Sequence, residues 1–386
     1  MQVAASESDA SASLGLYCPV LDLPTEIVCE IFAHFLPVYP DRPPALGLRS
    51  PTVLSHICYK WREIALSTPT LWRAIALSDS RRQTKAQWLN VLEAFLKRSG
   101  SYPLSIHLAI EDILEADRQM APLFRAIASH CARWEHLELL YYDATLLRSV
   151  EGPLPLLRTL KLVPHRYSYE APSTGNTFHS APMLTSVSLQ SYLPAEVPMI
   201  PWVQLTRLTI NFINPFECAP LLNQTTSLVY LKLGLYWIGD VANINPLPSL
   251  RTLILRDESS RLGVAGGFLS TLILTGLRQL QIPARSLTVE HLRTFLWNSR
   301  CTLEELCIIS ADLYSPSDLY SKAFPSLASV LFDRELDGIQ EDFPEDVGED
   351  TESDAEADGD QGEGGGLLFG MPFDELDFEG DSDGEG

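Results

Sequence analysis

A short hydrophobic pattern recurs along the middle of the chain. Each unit has an apolar residue, two variable residues, a second apolar residue, one variable residue and a third apolar residue. The nine units are Trp134/Leu137/Leu139, Leu157/Leu160/Leu162, Leu184/Val187/Leu189, Leu205/Leu208/Ile210, Leu228/Leu231/Leu233, Leu250/Leu253/Leu255, Leu277/Leu280/Ile282, Leu303/Leu306/Ile308 and Leu327/Val330/Phe332. Their first positions are 21 to 27 residues apart. The alternation within each unit predicts a short strand. Because one such unit cannot bury its apolar side chains alone, the period predicts stacked parallel strands.

Helical spacing of apolar residues appears between some of these units and before them. Residues 121–132 and 289–298 have it, and so does the stretch from Trp88 to Leu96. Residues 102–108 alternate apolar and polar positions, which predicts one more strand.

The first 80 residues predict further helices. Pro24 and Glu26 are typical of a helix start, and apolar residues follow at helical spacing up to Phe35. Residues 37–50 contain four Pro and one Gly, which predicts a loop. Ser50 and Pro51 then begin a second predicted helix that runs through Trp61, and a third apolar patch surrounds Pro69.

Three strings in this region together resemble an F-box: LPTEIVCEIFAHFL at 23–36, VLSHICYKWREIAL at 53–66 and PTLW at 69–72. The family's L-P-x-E-I/L helix, its I-F pair, its W-R-x-(I/L)-A helix and its terminal L-W are all present. The loop at 37–50 is longer than the usual connection. It either alters the adaptor-facing edge or is a tolerated surface insertion.

The resemblance implies roles for individual residues. An F-box packs one face internally and docks the other against the Skp-type adaptor of a ubiquitin ligase. The expected adaptor contacts are Leu23, Pro24, Ile27, Ile31, Phe32, Val53 and Leu54. The expected core residues are Ile57, Trp61, Ala65, Leu71 and Trp72.

The nine units resemble degenerate leucine-rich repeats, because their period falls in that family's range while its usual Asn is mostly absent. The predicted fold is therefore α/β (α+β): a three-helix F-box, a leucine-rich-repeat-like solenoid with parallel strands, and a disordered acidic C-terminal tail. We expect a disordered N-terminus at 1–17, the F-box at 18–78, a helical linker or cap at 79–132, the repeat domain at 133–334 and the tail at 335–386.

Charge separates the tail from the rest. The net charge is −22, yet residues 335–386 hold 21 acidic and no basic residues, which leaves −1 for residues 1–334. A nearly neutral body disfavours binding to nucleic acid or to an anionic membrane. Residues 364–378 alternate apolar and acidic positions. This segment either folds onto a partner or belongs to a purely solvating tail.

Candidate chemistry is sparse. The eight His include no HExxH pair, and the seven Cys include no CxxC pair. We therefore predict no catalytic, metal-binding or cofactor-binding residues. The N-terminal residues lack the basic and apolar regions of a secretory signal, so we expect reduced thiols and a cytoplasmic or nuclear location, or both.

These observations favour a non-catalytic substrate receptor of a Skp–cullin–F-box ubiquitin ligase. Its F-box would hold the adaptor and cullin, and the concave face of the repeats would hold an unknown protein substrate. Two alternatives remain: an F-box scaffold that acts outside ubiquitination, and a nuclear protein whose acidic tail binds basic proteins.

Overall fold

The structure, a computed structural model, describes residues 22–78, 85–109, 116–142, 144–164, 178–190, 200–236, 243–258, 264–309, 320, 322–325, 327 and 329–332. All of them belong to the first of two units into which the chain divides, Met1–Phe343. The predictions for residues 1–17 and 335–386 lie outside the described residues.

The chain forms a mixed α/β structure around one parallel sheet. Eleven strands are seen in the described residues, and their order in the sheet follows the order in the chain. The strands are β1 (Ala74–Ser78), β2 (Leu104–Ala109), β3 (Trp134–Tyr142), β4 (Thr159–Pro164), β5 (Ser186–Gln190), β6 (Arg207–Ile213), β7 (Tyr230–Leu235), β8 (Thr252–Asp257), β9 (Gln279–Pro283), β10 (Glu305–Ile309) and β11 (Ser329–Phe332). Ten spacings of about 4.8 Å make the sheet roughly 48 Å long.

Eight α-helices occur in the same part of the chain. They are α1 (Thr25–Phe35), α2 (Pro51–Ile57), α3 (Tyr59–Leu66), α4 (Lys85–Arg98), α5 (Ala116–Ala128), α6 (Pro215–Leu222), α7 (Val264–Thr271) and α8 (Val289–Ser299). The last five connect successive strands. Since parallel crossovers are right-handed, sequential strands place their helices on one face of the sheet, which we call the inner face.

The register of the strands explains the hydrophobic repeat. The second apolar position of each unit forms one column across the sheet, in which Leu137 pairs with Leu160 and Leu160 with Val187. The third apolar position forms a parallel column that includes Leu139 and Leu162. Side chains of both columns join helix residues such as those of α4 and α8 in one buried core. All nine predicted strands are confirmed as β3–β11, and the strand predicted at 102–108 is confirmed as β2.

The sheet begins earlier than predicted. The boundary at residue 133 is wrong, because β1 and β2 precede it and pair in the same register as the later strands. Segment 79–132 is therefore part of the stack, and the range 18–78 includes the first strand. Strand β1, Ala-Ile-Ala-Leu-Ser, is short and begins two residues after Trp72, so its alternating pattern could not be told apart from the end of the helical motif.

A buried tryptophan joins the last N-terminal helix to β1, and a second tryptophan makes the same contact further along the chain. Trp72 lies in a short 3-10 helix before β1, and its Nε1 donates to the carbonyl of Ala65 seven residues earlier, at 2.8 Å. Trp134, at the start of β3, donates in the same way to Ile127, at 3.1 Å. Both indole rings are fully buried. Helix α3 and β1 therefore join as α5 and β3 do, so the N-terminal helices continue into the stack.

In the part of the chain that the structure describes, every helix is too short or too polar to cross a lipid bilayer.

Candidate functional site

Helix α1 carries apolar side chains on two sides. Val28 and Phe32, four residues apart, are fully buried. Ile27, Ile31 and Phe35 form a second row at the same spacing, and they are 48%, 38% and 42% exposed. One row is enough to attach an 11-residue helix to its neighbours. The second row is therefore an apolar surface that the described residues leave uncovered.

The seven expected adaptor contacts divide between surface and core. Pro24, Ile27 and Ile31 are exposed, and Leu23 and Val53 are half-buried. Phe32 and Leu54 are 0% and 2% exposed, so placing them on the adaptor-facing surface was wrong. Phe32 lies one helical turn after Val28, on the inward side of α1, and packs edge-on against Trp61 with ring centroids 5.0 Å apart.

Four of the five expected core residues are at least half-buried. Ala65, Leu71 and Trp72 are buried, and Trp61 is half-buried against Phe32.

The prediction for Ile57 was wrong, because its side chain is 55% exposed. The single helix expected here is interrupted at Cys58, whose backbone is extended and whose Sγ accepts from the Trp61 N–H. Ile57 is thus the last residue of α2, and it turns away from the core.

The loop at residues 37–50, which we call the strap, lies across the sheet. Pro44 forms a parallel bridge with Ala76 of β1. Ser105 of β2 accepts from Arg42 Nε at 2.8 Å and donates to the Pro40 carbonyl at 2.7 Å. The strap contacts the outer face, which bears the side chains that alternate with the two apolar columns. It is therefore more than a tolerated surface insertion.

A buried carboxylate on β3 anchors the strap. Glu138 is 1% exposed, and an arginine, a histidine and a lysine surround it. Arg42 Nη1 of the strap lies 2.8 Å from its Oε2, His107 Nδ1 of β2 lies 3.0 Å from the same oxygen, and Lys161 Nζ of β4 lies 2.7 Å from Oε1. Burial alone would raise the pKa of Glu138. The hydrogen bond from His107 and the charges of His107, Lys161 and Arg42 outweigh it and lower the pKa to about 2.

A second anchor lies at Tyr39. Its hydroxyl donates to Glu135 Oε2 at 2.9 Å, and the Arg73 guanidinium stacks over its ring at 3.8 Å. Burial and the hydrogen bond to Glu135 raise the pKa of Tyr39, so the phenol stays protonated and remains a donor. The strap thus ties the segment after α1 to three consecutive strands.

Beyond the strap, the outer face is mixed. It carries basic side chains, but at the position between the two apolar columns it also carries Ile254 of β8 and Cys307 of β10, which are 5% and 0% exposed. The position between the two apolar columns holds Lys161 in β4 and Lys232 in β7. Arg207 of β6 stacks over the Tyr230 ring at 4.5 Å, and Arg256 lies on β8. In the sequence, this face corresponds to the residue between the last two apolar positions of each unit.

The described residues contain no group of three or more His, Cys, Asp or Glu able to hold a metal ion. The thiols on the sheet and in α6 are poor nucleophiles. Burial and then Glu305 raise the pKa of Cys307 to about 11, and burial raises that of Cys218. Both thiols therefore stay protonated at neutral pH.

Comparison of the chain with protein-family models and with curated proteins finds no match.

Proposed function

We propose that this chain is the substrate-recognition subunit of a Skp–cullin–F-box ubiquitin ligase. Helices α1–α3 bind the Skp-type adaptor, which in turn carries the cullin, and the outer face of the leucine-rich-repeat-like sheet binds a protein substrate. The chain itself performs no catalysis. It raises the concentration of a substrate lysine near the activated ubiquitin on other subunits.

The observation that carries the adaptor proposal is the exposed row of α1. Ile27, Ile31 and Phe35 present three large apolar side chains on one side of a short helix. Burying a fully exposed side chain of this kind contributes about 1.5–3 kcal/mol, and these three are 38–48% exposed, so a partner that covers the row gains about 2–4 kcal/mol. The F-box strings place the expected adaptor contacts Ile27 and Ile31 in this row.

The burial of Phe32 and Leu54 narrows the expected contact set. Adaptor binding is assigned to Leu23, Pro24, Ile27, Ile31 and Val53, all of which are exposed or half-buried.

The substrate proposal is limited by the strap. Ser105 and Glu138 lie on the outer face, yet they are 0% and 1% exposed because the strap covers them. We therefore place the substrate contact from about β4 onward, at the half-buried basic side chains Lys161, Lys232 and Arg207.

The test is co-purification from cells that contain the adaptor and the cullin. The full chain is expected to recover both, and Ile27→Ser/Ile31→Ser is expected to lose both. Trp297→Ser is the matched control, because Trp297 is an apolar residue on α8 that is 80% exposed and lies outside the proposed contact.

Other results separate the alternatives. Recovery of the adaptor without cullin would favour a scaffold outside ubiquitination. Partner binding that depends only on residues 335–386 would favour the acidic-tail protein. Failure of the unchanged chain to bind the adaptor would refute the proposal.

A further inference from the structure

A cavity separates the N-terminal helices from α4. Its volume is about 330 Å³, which is at the lower end of the range for small-molecule sites. The apolar part of its wall comes from Leu46 of the strap, Leu66 of α3 and Val91, Ala94 and Phe95 of α4, and polar residues of α2, α3 and α4, His56 among them, complete the wall. The cavity therefore lies at the junction of four segments, the strap and α2–α4, and one side of it is apolar.

Two arginines line the same cavity. Arg98, near the end of α4, stacks its guanidinium over the buried Trp72 ring at 4.5 Å. Arg62 projects from α3. Among the described residues, no carboxylate forms an ion pair with either arginine, and the cavity wall contains no Asp or Glu.

The electrostatics of the pair favour an anion. Burial lowers the pKa of Arg98, and the positive charge of Arg62 lowers it further. Arg98 is half-buried and Arg62 is exposed, so water screens the repulsion between their charges only in part, and an anion between them relieves it. A carboxylate is a suitable ligand because guanidinium groups can bind it through two parallel hydrogen bonds.

We propose that this cavity binds a small amphipathic monoanion, with its acidic group between Arg62 and Arg98 and its apolar body against Val91, Ala94 and Phe95. A medium-chain carboxylate is the simplest ligand of this class. Since the ligand contacts α3, α4 and the strap, its binding also stabilises the junction between the N-terminal helices and the stack. The proposal does not depend on adaptor or substrate binding.

The test uses two probe pairs that differ in charge. The full chain is titrated with decanoate and with decan-1-ol, and with 8-anilinonaphthalene-1-sulfonate and its uncharged analogue N-phenyl-1-naphthylamine. The anion of each pair is expected to bind at least about tenfold more tightly, because only the anion can accept charged hydrogen bonds from the two guanidinium groups. Decanoate is expected to displace the sulfonate probe.

Variants assign the binding to the cavity. Arg62→Gln/Arg98→Gln is expected to remove the preference for the anion and to keep the weak binding of the uncharged probe. Arg49→Gln is the matched control, because Arg49 is an exposed arginine of the strap outside the cavity wall. Ala94→Trp fills the cavity without a change of charge, and it is expected to abolish both kinds of binding. Circular dichroism checks that each variant is folded.

Three results would overturn the proposal: equal affinity of the unchanged chain for charged and uncharged probes, no binding of decanoate, or an equal loss of binding in Arg49→Gln.

Discussion

The ion cluster at Glu138 gives a stability prediction with a defined magnitude. Glu138→Gln keeps the shape of the side chain and removes its charge, which leaves Arg42, 4% exposed, without its carboxylate. A fall of the Glu138 pKa from 4.5 to about 2 corresponds to roughly 3 kcal/mol, since each pKa unit equals about 1.36 kcal/mol. Breaking a buried ion pair costs about 3–5 kcal/mol. We therefore expect Glu138→Gln to lower the free energy of unfolding by about 3 kcal/mol.

Equilibrium unfolding in urea at pH 7, followed by both circular dichroism and tryptophan fluorescence, measures this loss. Glu304→Gln is the matched control, because Glu304 pairs with Arg278 on the surface and an exposed pair contributes about 0–1 kcal/mol. The buried cluster also predicts that Arg42→Met/Glu138→Leu costs less than the sum of its single changes, because neither Arg42 nor Glu138 is then left buried without the other. If Glu138→Gln costs no more than Glu304→Gln, the reasoning is refuted.

The same cluster has a pH signature. Because the folded-state pKa of Glu138 is depressed, its contribution is complete above about pH 4.5 and is lost as the pH falls toward 2. The difference in stability between the unchanged chain and Glu138→Gln should therefore narrow over that range. A constant difference between pH 4.5 and pH 2 would show that the charge of Glu138 is not its source.

Two more stability predictions use matched pairs of changes, measured by the same unfolding assay. Gly266→Ala should cost about 1–3 kcal/mol, because its Cβ would lie 1.9 Å from the Ser286 carbonyl oxygen, whereas Gly267→Ala meets no atom within 4 Å and should be neutral or stabilising by up to about 1 kcal/mol; equal effects would contradict the packing of α7. Phe32→Ala should cost about 3–5 kcal/mol as a core truncation, whereas Val38→Ala, at an 83% exposed site, should stay within about 0.5 kcal/mol; a small loss for Phe32→Ala would show that it is not a core residue.

The regular part of the fold could be predicted from the sequence because its signal is periodic. Each unit places two alternating apolar residues, such as Leu137 and Leu139, in two columns that every neighbouring strand extends. A shift of one residue in the register of a strand would turn its apolar side chains to the opposite face of the sheet. The positions of the apolar residues are therefore strongly constrained. Strand β1 was not predicted, because the sequence segments on both sides of it have helical patterns.

The candidate site was only partly predictable, because it depends on contacts between distant segments. Spacing alone identifies two apolar rows on α1, but it does not decide which row faces inward, so Phe32 was assigned to the wrong side. Arg42 and Glu138 are 96 residues apart, and nothing local in either segment indicates their pairing. The cavity arginines Arg62 and Arg98 are brought together only by the packing of α4.

The strap connects the two proposed binding surfaces. A loop of 14 residues would normally lose much conformational entropy when it is ordered, but its four prolines already restrict the unfolded chain. The strap therefore loses less conformational entropy when Arg42 binds Glu138 and Tyr39 binds Glu135. With both anchors made, the segment after α1 is held against β1–β3, and the exposed row of Ile27 keeps a fixed position relative to the outer face. A receptor that works by proximity requires such a fixed geometry, because a loosely joined adaptor end would dilute the effective concentration of the substrate.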